Sequence, residues 1–77
     1  MSPGKLTGIN GKQVVRALQR GGFETVRVTG SHHILRRPGT PAKVIVPVHG
    51  AHDLPPGTVE SIIKQSGLSV EVFMVLL

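Results

Sequence analysis

The sequence predicts an α+β fold in which a three-stranded antiparallel sheet carries two helices on one face and a short helix at the C-terminal end. Two observations predict it. Between residues 23 and 46, β-rich segments alternate with glycine-containing turns, which is typical of a strand meander. On either side of this region, apolar residues recur at the three- and four-residue spacing of a helix. Such a sandwich leaves the other face of the sheet open.

The first helix follows residues 1–8, which are rich in glycine, proline, serine and threonine and are expected to be loose. Asn10 is a favourable N-cap residue, and Gln13 three positions later completes a capping box. Gly21 and Gly22 end the helix. Its buried side consists of apolar residues at helical spacing: Val14, Val15 and Leu18. Basic residues recur every four positions on the opposite side, as a ridge facing water: Lys12, Arg16 and Arg20.

Three strands are predicted over residues 23–28, 31–37 and 42–46. Thr29 and Gly30 turn the chain between the first two strands. Pro38 and Gly39 suit the centre of a type II turn between the second and third strands. Pro47 is expected to stop the third strand. The result is a meander with short connections.

The C-terminal third of the chain predicts two helices after a polar loop over residues 48–54 that carries His49 and His52. Pro55 and Pro56 open the first of these helices, since proline is favoured in a first turn. Gly67 is its expected C′ residue. Its apolar face is Val59, Ile62 and Ile63. The final helix is capped by Ser69, and its expected buried side is Phe73, Leu76 and Leu77. The order αβββα is that of double-stranded-RNA-binding domains, although a fold alone does not establish function.

Composition and charge narrow the class of protein. The 77 residues suit one domain spanning 1–77. Nine Lys and Arg against four Asp and Glu give a net charge of +5, which favours a polyanionic partner, either nucleic acid or an acidic protein. The absence of cysteine excludes disulfides, thiolate zinc sites and cysteine nucleophiles. No stretch is long and apolar enough for a membrane span and no signal-peptide core is present, so we expect a cytoplasmic protein.

The segment Gly30-Ser31-His32-His33 places an imidazole directly after a predicted turn in a basic chain. Histidine is the side-chain type that ordinarily exchanges a proton near neutral pH. Adjacent strand residues point to opposite faces. If Leu35 faces the helices, His33 is half-buried and His32 lies on the open face beside Arg36. The alternative is that both histidines are ordinary strand residues.

A zinc site is the competing interpretation of the histidines. His49 and His52 have a spacing that permits chelation, but strand geometry separates His32 from His33, and no cysteine is available. We therefore expect no metal and no other cofactor. His49 is expected to have a structural role in the loop or to form part of the edge of the site.

Four segments occur in one order along the chain: residues 21–23 (GGF), 30–34 (GSHHI), 44–50 (VIVPVHG) and 56–69 (PGTVESIIKQSGLS). Together, over about residues 10–77, they resemble the HicA family of toxin mRNA interferases. The resemblance implies metal-independent cleavage of mRNA by a single catalytic histidine, which corresponds to His32. That histidine would act as general acid or base. The resemblance also implies an acidic HicB-type antitoxin as inhibitory partner and a toxin that is monomeric when free.

Several residues near this histidine suit RNA phosphate. Gly30 permits a positive φ and close approach to the backbone, and Ser31 offers a hydroxyl and an N–H. Arg36 ranks first among the cations because strand parity puts it on the face of His32. The other candidates are basic residues elsewhere in the chain: Lys12, Arg16, Arg27, Arg37 and Lys43. The alternative is that Gly30 and Ser31 are ordinary hairpin residues and that the basic side chains are solvated charges without a ligand.

Two other functions remain open at this point. A non-catalytic double-stranded-RNA-binding module would use the basic residues and require no histidine. A degenerate toxin would retain its antitoxin without cutting RNA.

Overall fold

The three strands form an antiparallel meander in which neighbours along the chain are also neighbours in the sheet. In the computed structural model, which describes residues 6–77, the elements follow one another along the chain: α1 (Gly11–Arg20), β1 (Glu24–Thr29), β2 (His32–Arg36), β3 (Lys43–Pro47), α2 (Pro56–Ser66) and α3 (Val70–Leu76). Helices α1 and α2 pack against the sheet, and α3 packs against both helices. The predicted α+β arrangement is confirmed.

Local capping signals define α1 as predicted. The Asn10 side chain accepts a hydrogen bond from the Gln13 N–H at 2.9 Å, and the Gln13 side chain accepts one from the Asn10 N–H at 2.9 Å. The predicted apolar side is buried and the basic ridge is exposed. Of the segment expected to be loose, residues 1–5 lie outside the described residues. At Leu6 the structure differs from that expectation, because this apolar side chain is completely buried in the core.

The turn between β1 and β2 lies one residue later than predicted. Thr29 pairs with His32, so the two turn residues are Gly30 and Ser31 rather than Thr29 and Gly30. Gly30 has a φ of +57° and Ser31 does not have a positive φ, which is the pattern of a type II′ hairpin turn. The predicted type II turn after β2 is confirmed by a φ of +83° at Gly39.

Strand β3 runs through Pro47, where the sequence predicted that it would stop. The Val48 N–H donates to the Ser31 carbonyl at 2.6 Å, so antiparallel pairing continues one step beyond the proline. Hydrogen-bonded and non-hydrogen-bonded pairs alternate along such a ladder. The pair His32–Pro47 is therefore a non-hydrogen-bonded pair. At such a position the backbone N–H would not donate to the neighbouring strand, so proline costs the ladder no hydrogen bond.

The core lies between the sheet and the helices. Strand β2 contributes Leu35 and strand β3 contributes Val44 and Val46, all fully buried. The predicted apolar face of α2 is buried as well. In α3, Phe73 is fully buried and Leu76 is half-buried against the core, but Leu77, the residue after the helix, is 37% exposed. The prediction of a buried Leu77 is therefore wrong.

The N-terminus of α1 lies directly against the end of β3. A Cβ atom added to Gly11 would collide with the Pro47 carbonyl oxygen and would stand 2.9 Å from the Val48 Cα. Glycine is required here by the close approach of two backbones. This contact holds the helix layer against the same end of the sheet at which β2 begins.

We expect Gly11→Ala to lower the free energy of unfolding by about 1–3 kcal/mol, because backbone atoms must move to admit the methyl group. Gly57→Ala is the matched control. Gly57 also lies in the first turn of a helix, but an added Cβ there meets nothing within 4 Å. The control should be neutral or more stable by up to about 1 kcal/mol. Urea denaturation of both variants checks this, and an undiminished stability of Gly11→Ala would contradict it.

Candidate active site

Strand parity separates the two adjacent histidines. Leu35 is buried and so faces the helices, which places His33 on the same side and half-buried. His32 is exposed and shares the opposite side of β2 with Ile34 and Arg36. The arrangement expected for a helix-facing Leu35 is the one observed.

The open face of the sheet is the side away from the helices. Residues directly opposite each other on antiparallel strands share a face, so the register defines which side chains lie together there. They form three rows across the sheet: Thr29–His32–Pro47, Arg27–Ile34–Ile45 and Glu24–Arg36–Lys43. Successive rows are about 7 Å apart along the strands.

Arg27 is the open-face cation in the row next to His32. As a diagonal neighbour across the β1–β2 ladder, its Cβ lies about 7–8 Å from that of His32. Arg36 shares the face as predicted, but it stands four residues along β2, about 13 Å away. Arg36 also pairs directly with Glu24 on β1. Strand parity alone favours Arg36 over Arg27, whereas the register of the β1–β2 hairpin places Arg27 one row and Arg36 two rows from His32.

The basic residues of α1 lie in the other layer. Lys12 follows Gly11 and is therefore near the His32 end of the sheet, on the helix side. Arg16 lines a small depression together with Gln13 and Arg20. The structure does not bring Arg16 to the open face.

Arg20 has a structural partner at the end of the last helix. Its Nη1 donates to the Leu76 carbonyl at 2.8 Å and to the Leu77 carbonyl at 3.2 Å. These carbonyls lie at the C-terminal end of α3, where cations stabilise a helix. One member of the basic ridge therefore ties α1 to α3.

The turn before His32 is open to solvent at Gly30. A Cβ added to Gly30 would meet nothing within 4 Å, so its φ of +57° is the feature that requires glycine. Ser31 is half-buried, and its carbonyl accepts the hydrogen bond from Val48. These two residues set the position of His32 at the start of β2.

The loop that follows β3 carries the remaining histidines. The His52 N–H donates to the His49 carbonyl at 3.1 Å, and Gly50 between them has a φ of +60°. Asp53 pairs with Asn10 in an isolated bridge that joins this loop to the start of α1. Within residues 6–77, no three His, Asp or Glu side chains gather closely enough to hold a metal ion.

Comparison with protein families identifies the chain. A family model described as HicA toxin of bacterial toxin-antitoxin matches residues 11–68, which extend from the first residue of α1 to just beyond α2. The chain belongs to the HicA toxin family. No curated protein matches it.

HicA family membership makes this protein the toxin component of a toxin–antitoxin system, which has an antitoxin as its partner. Membership of this family implies a toxin activity of the ribonuclease type. Among the helices of residues 6–77, none combines the length and apolar character that crossing a membrane requires.

We expect Gly30→Ala to lower the free energy of unfolding by about 1–2 kcal/mol, since a side chain at positive φ brings its Cβ too close to the backbone. Gly30→Asn should lose less, because asparagine is among the residues favoured where type I′ and II′ turns require a positive φ. Urea denaturation measures both variants. An alanine variant as stable as the wild type would contradict the role given to this turn.

Proposed function

We propose that the protein is a metal-independent endoribonuclease that cleaves mRNA, with His32 as its catalytic residue. The observation that carries the proposal is the exposed position of His32 on an open sheet face, one row from Arg27. The imidazole there is accessible to a ribose–phosphate link, and a guanidinium lies within reach of the same phosphate. A shallow face of this kind admits a chain substrate without a deep cavity.

The reaction that suits these groups is attack of an RNA 2′-hydroxyl on the adjacent phosphorus. His32 takes the proton of the 2′-hydroxyl or gives one to the departing 5′-oxygen, a contribution of about 10²–10⁴-fold in rate. Arg27 stabilises the negative charge that develops on the phosphate oxygens. DNA lacks the 2′-hydroxyl, so RNA is the substrate.

Other residues are proposed to hold the RNA on either side of the cleaved bond. Gly30 and Ser31 precede His32, and the open space beside Gly30 lets a phosphate approach the backbone. Arg36 is two rows away and suits a phosphate further along the chain. Lys12 and Arg16 are proposed contacts for RNA that continues past the sheet onto the helix layer.

An acidic HicB-type antitoxin is proposed to neutralise this toxin by covering His32. Two exposed apolar side chains lie beside the basic ones. Ile45 is 47% exposed and stands in the row of Arg27, and Val26 is 53% exposed and lines a depression with Glu24 and Arg36. Exposed apolar groups among cations suit a protein partner that supplies both acidic and apolar contacts. We propose that the free toxin is a monomer and acts in the cytoplasm, where its mRNA substrate lies.

The central test is cleavage of a mixed RNA in EDTA by the wild type and by His32→Ala. We expect the variant to lose about 10²–10⁴-fold in rate, the loss typical of a proton-transfer group. His33→Gln is the matched control because its side chain faces the helices, and it should cleave like the wild type. Circular dichroism verifies that all three proteins are folded.

The same experiment separates the nuclease from a binding module, and a growth assay tests for a degenerate toxin. Equal cleavage by the wild type and His32→Ala would remove His32 from the mechanism. RNA binding without cleavage by either protein would favour a non-catalytic double-stranded-RNA-binding module. Growth arrest on expression without the antitoxin would exclude a degenerate toxin.

The two open-face arginines should differ in what their loss changes. Arg27→Gln should slow cleavage at saturating RNA by roughly tenfold. This loss is smaller than the loss expected for a buried donor that stabilises the same charge, because the site is open to water. Arg36→Gln should weaken binding and lower the slope of log K against log salt by about 1 while the saturating rate is kept. Single-turnover kinetics with salt titration measure both. An unchanged saturating rate in Arg27→Gln would contradict this assignment.

A further inference from the structure

We propose that His49 is the second proton-transfer group of the site and acts together with His32 on one phosphate. The inference rests on the proposed nuclease function, which uses His32 alone. The sequence placed His49 in a loop after a strand that stops at Pro47. The structure carries the ladder past that proline, and this changes where His49 lies.

The backbone before His49 is held in register with the start of β2. His32 pairs with Pro47, and the Val48 N–H donates to the Ser31 carbonyl at 2.6 Å. Val48 is half-buried and packs against the core, so it points toward the helices. Strand β3 ends at Pro47, and the Val48 hydrogen bond carries its pairing one residue further. If the alternation of side chains is continued to the next residue, the exposed His49 falls on the side of Pro47 and His32.

This placement makes His49 the diagonal neighbour of His32 across the β2–β3 ladder. Such neighbours have Cβ atoms about 7–8 Å apart, within reach of long and aromatic side chains. Two imidazole rings on this spacing can approach the same phosphodiester from opposite sides. Arg27 is the corresponding diagonal neighbour across the β1–β2 ladder. His32 therefore lies between a second imidazole and a guanidinium.

Contacts on both sides restrain the backbone at His49. Before it, Pro47 and Val48 lie against Gly11 at the start of α1. After it, the His52 N–H donates to the His49 carbonyl at 3.1 Å. His49 is thus presented by a defined turn, which a positioned acid or base requires.

The proposed step needs both imidazoles at once. One ring, neutral, takes the proton of the 2′-hydroxyl as the bond from O2′ to phosphorus forms. The other ring, protonated, gives its proton to O5′ as the bond from phosphorus to O5′ breaks. The products are a 2′,3′-cyclic phosphate and a 5′-hydroxyl, and the two rings return to their starting states by proton exchange with water.

The charged groups around the pair come from every neighbouring element. The sheet contributes Arg27, Arg36, Lys43 and Glu24, the start of α1 contributes Lys12, and the loop contributes His52 and Asp53. Of these residue types only histidine ordinarily changes charge between pH 5 and 8. His52 is the matched control for His49, because it is an exposed histidine of the same loop and the proposed step does not use it.

The test is single-turnover cleavage of RNA in EDTA from pH 5 to 9 by the wild type, His32→Ala, His49→Ala and His52→Ala. We expect a bell-shaped profile for the wild type and for His52→Ala. His49→Ala should be slower by about 10²–10⁴-fold and should lose one limb of the profile, while His32→Ala loses the other limb. RNA affinity should be unchanged in His49→Ala. A purely structural role of His49 at the edge of the site would not remove one limb of the pH profile while leaving the affinity unchanged.

A second substrate tests the two proton-transfer roles independently of the pH profile. Sulfur in place of O5′ at the scissile bond gives a leaving group that departs without a proton. It should restore cleavage in the one variant that lacks the acid and leave the variant that lacks the base slow. Restoration of both variants, or of neither, would overturn the pair.

The outcomes distinguish this inference from the function beneath it. A wild-type rate or an intact bell-shaped profile in His49→Ala, with His32→Ala inactive, would overturn the role of His49 and leave the nuclease standing. Failure of the wild type to cleave RNA would instead overturn the proposed function.

Discussion

His32 and Pro47 face each other at the end of the β2–β3 ladder, and the site depends on this pairing. The proline occupies a position that needs no N–H, so the ladder continues to Val48 instead of ending. Gly11 lies against the same stretch of backbone, and no larger residue fits there without a shift. The helix layer, the hairpin turn and the histidine are thereby assembled at one end of the sheet.

The exposed face of the sheet follows from the size and composition of the chain. A domain of 77 residues has helices enough to cover one side of three strands, and the other side stays in water. With few acids available, the rows on that side are mostly basic or apolar around His32. The same surface therefore suits a polyanionic substrate and an inhibitor that carries acidic and apolar groups. Competition for one face is the physical basis of the neutralisation that we propose.

Signals that act within a few residues were readable from the sequence. The Asn10–Gln13 capping box, the turn glycine at 39 and the helix-ending Gly67 each depend on the conformation of one short segment. The exposure of His32 also followed from alternation along β2 once Leu35 was assigned to the core. The expected end of the strand before Pro47 is wrong, because proline interrupts a ladder only at a position where its missing N–H would have donated a hydrogen bond.

Features that depend on pairing between strands were not predictable in the same way. The bulge between Thr25 and Arg27 changes the register so that Glu24, rather than Thr25, stands opposite Arg36. The sequence by itself determined the order of the elements, their caps, the basic charge and the candidate histidine, because each is a property of composition or local conformation. Tertiary structure decided which cation lies beside His32 and which histidine we propose as its partner, since cross-strand register and the approach of α1 to β3 involve residues far apart in the chain.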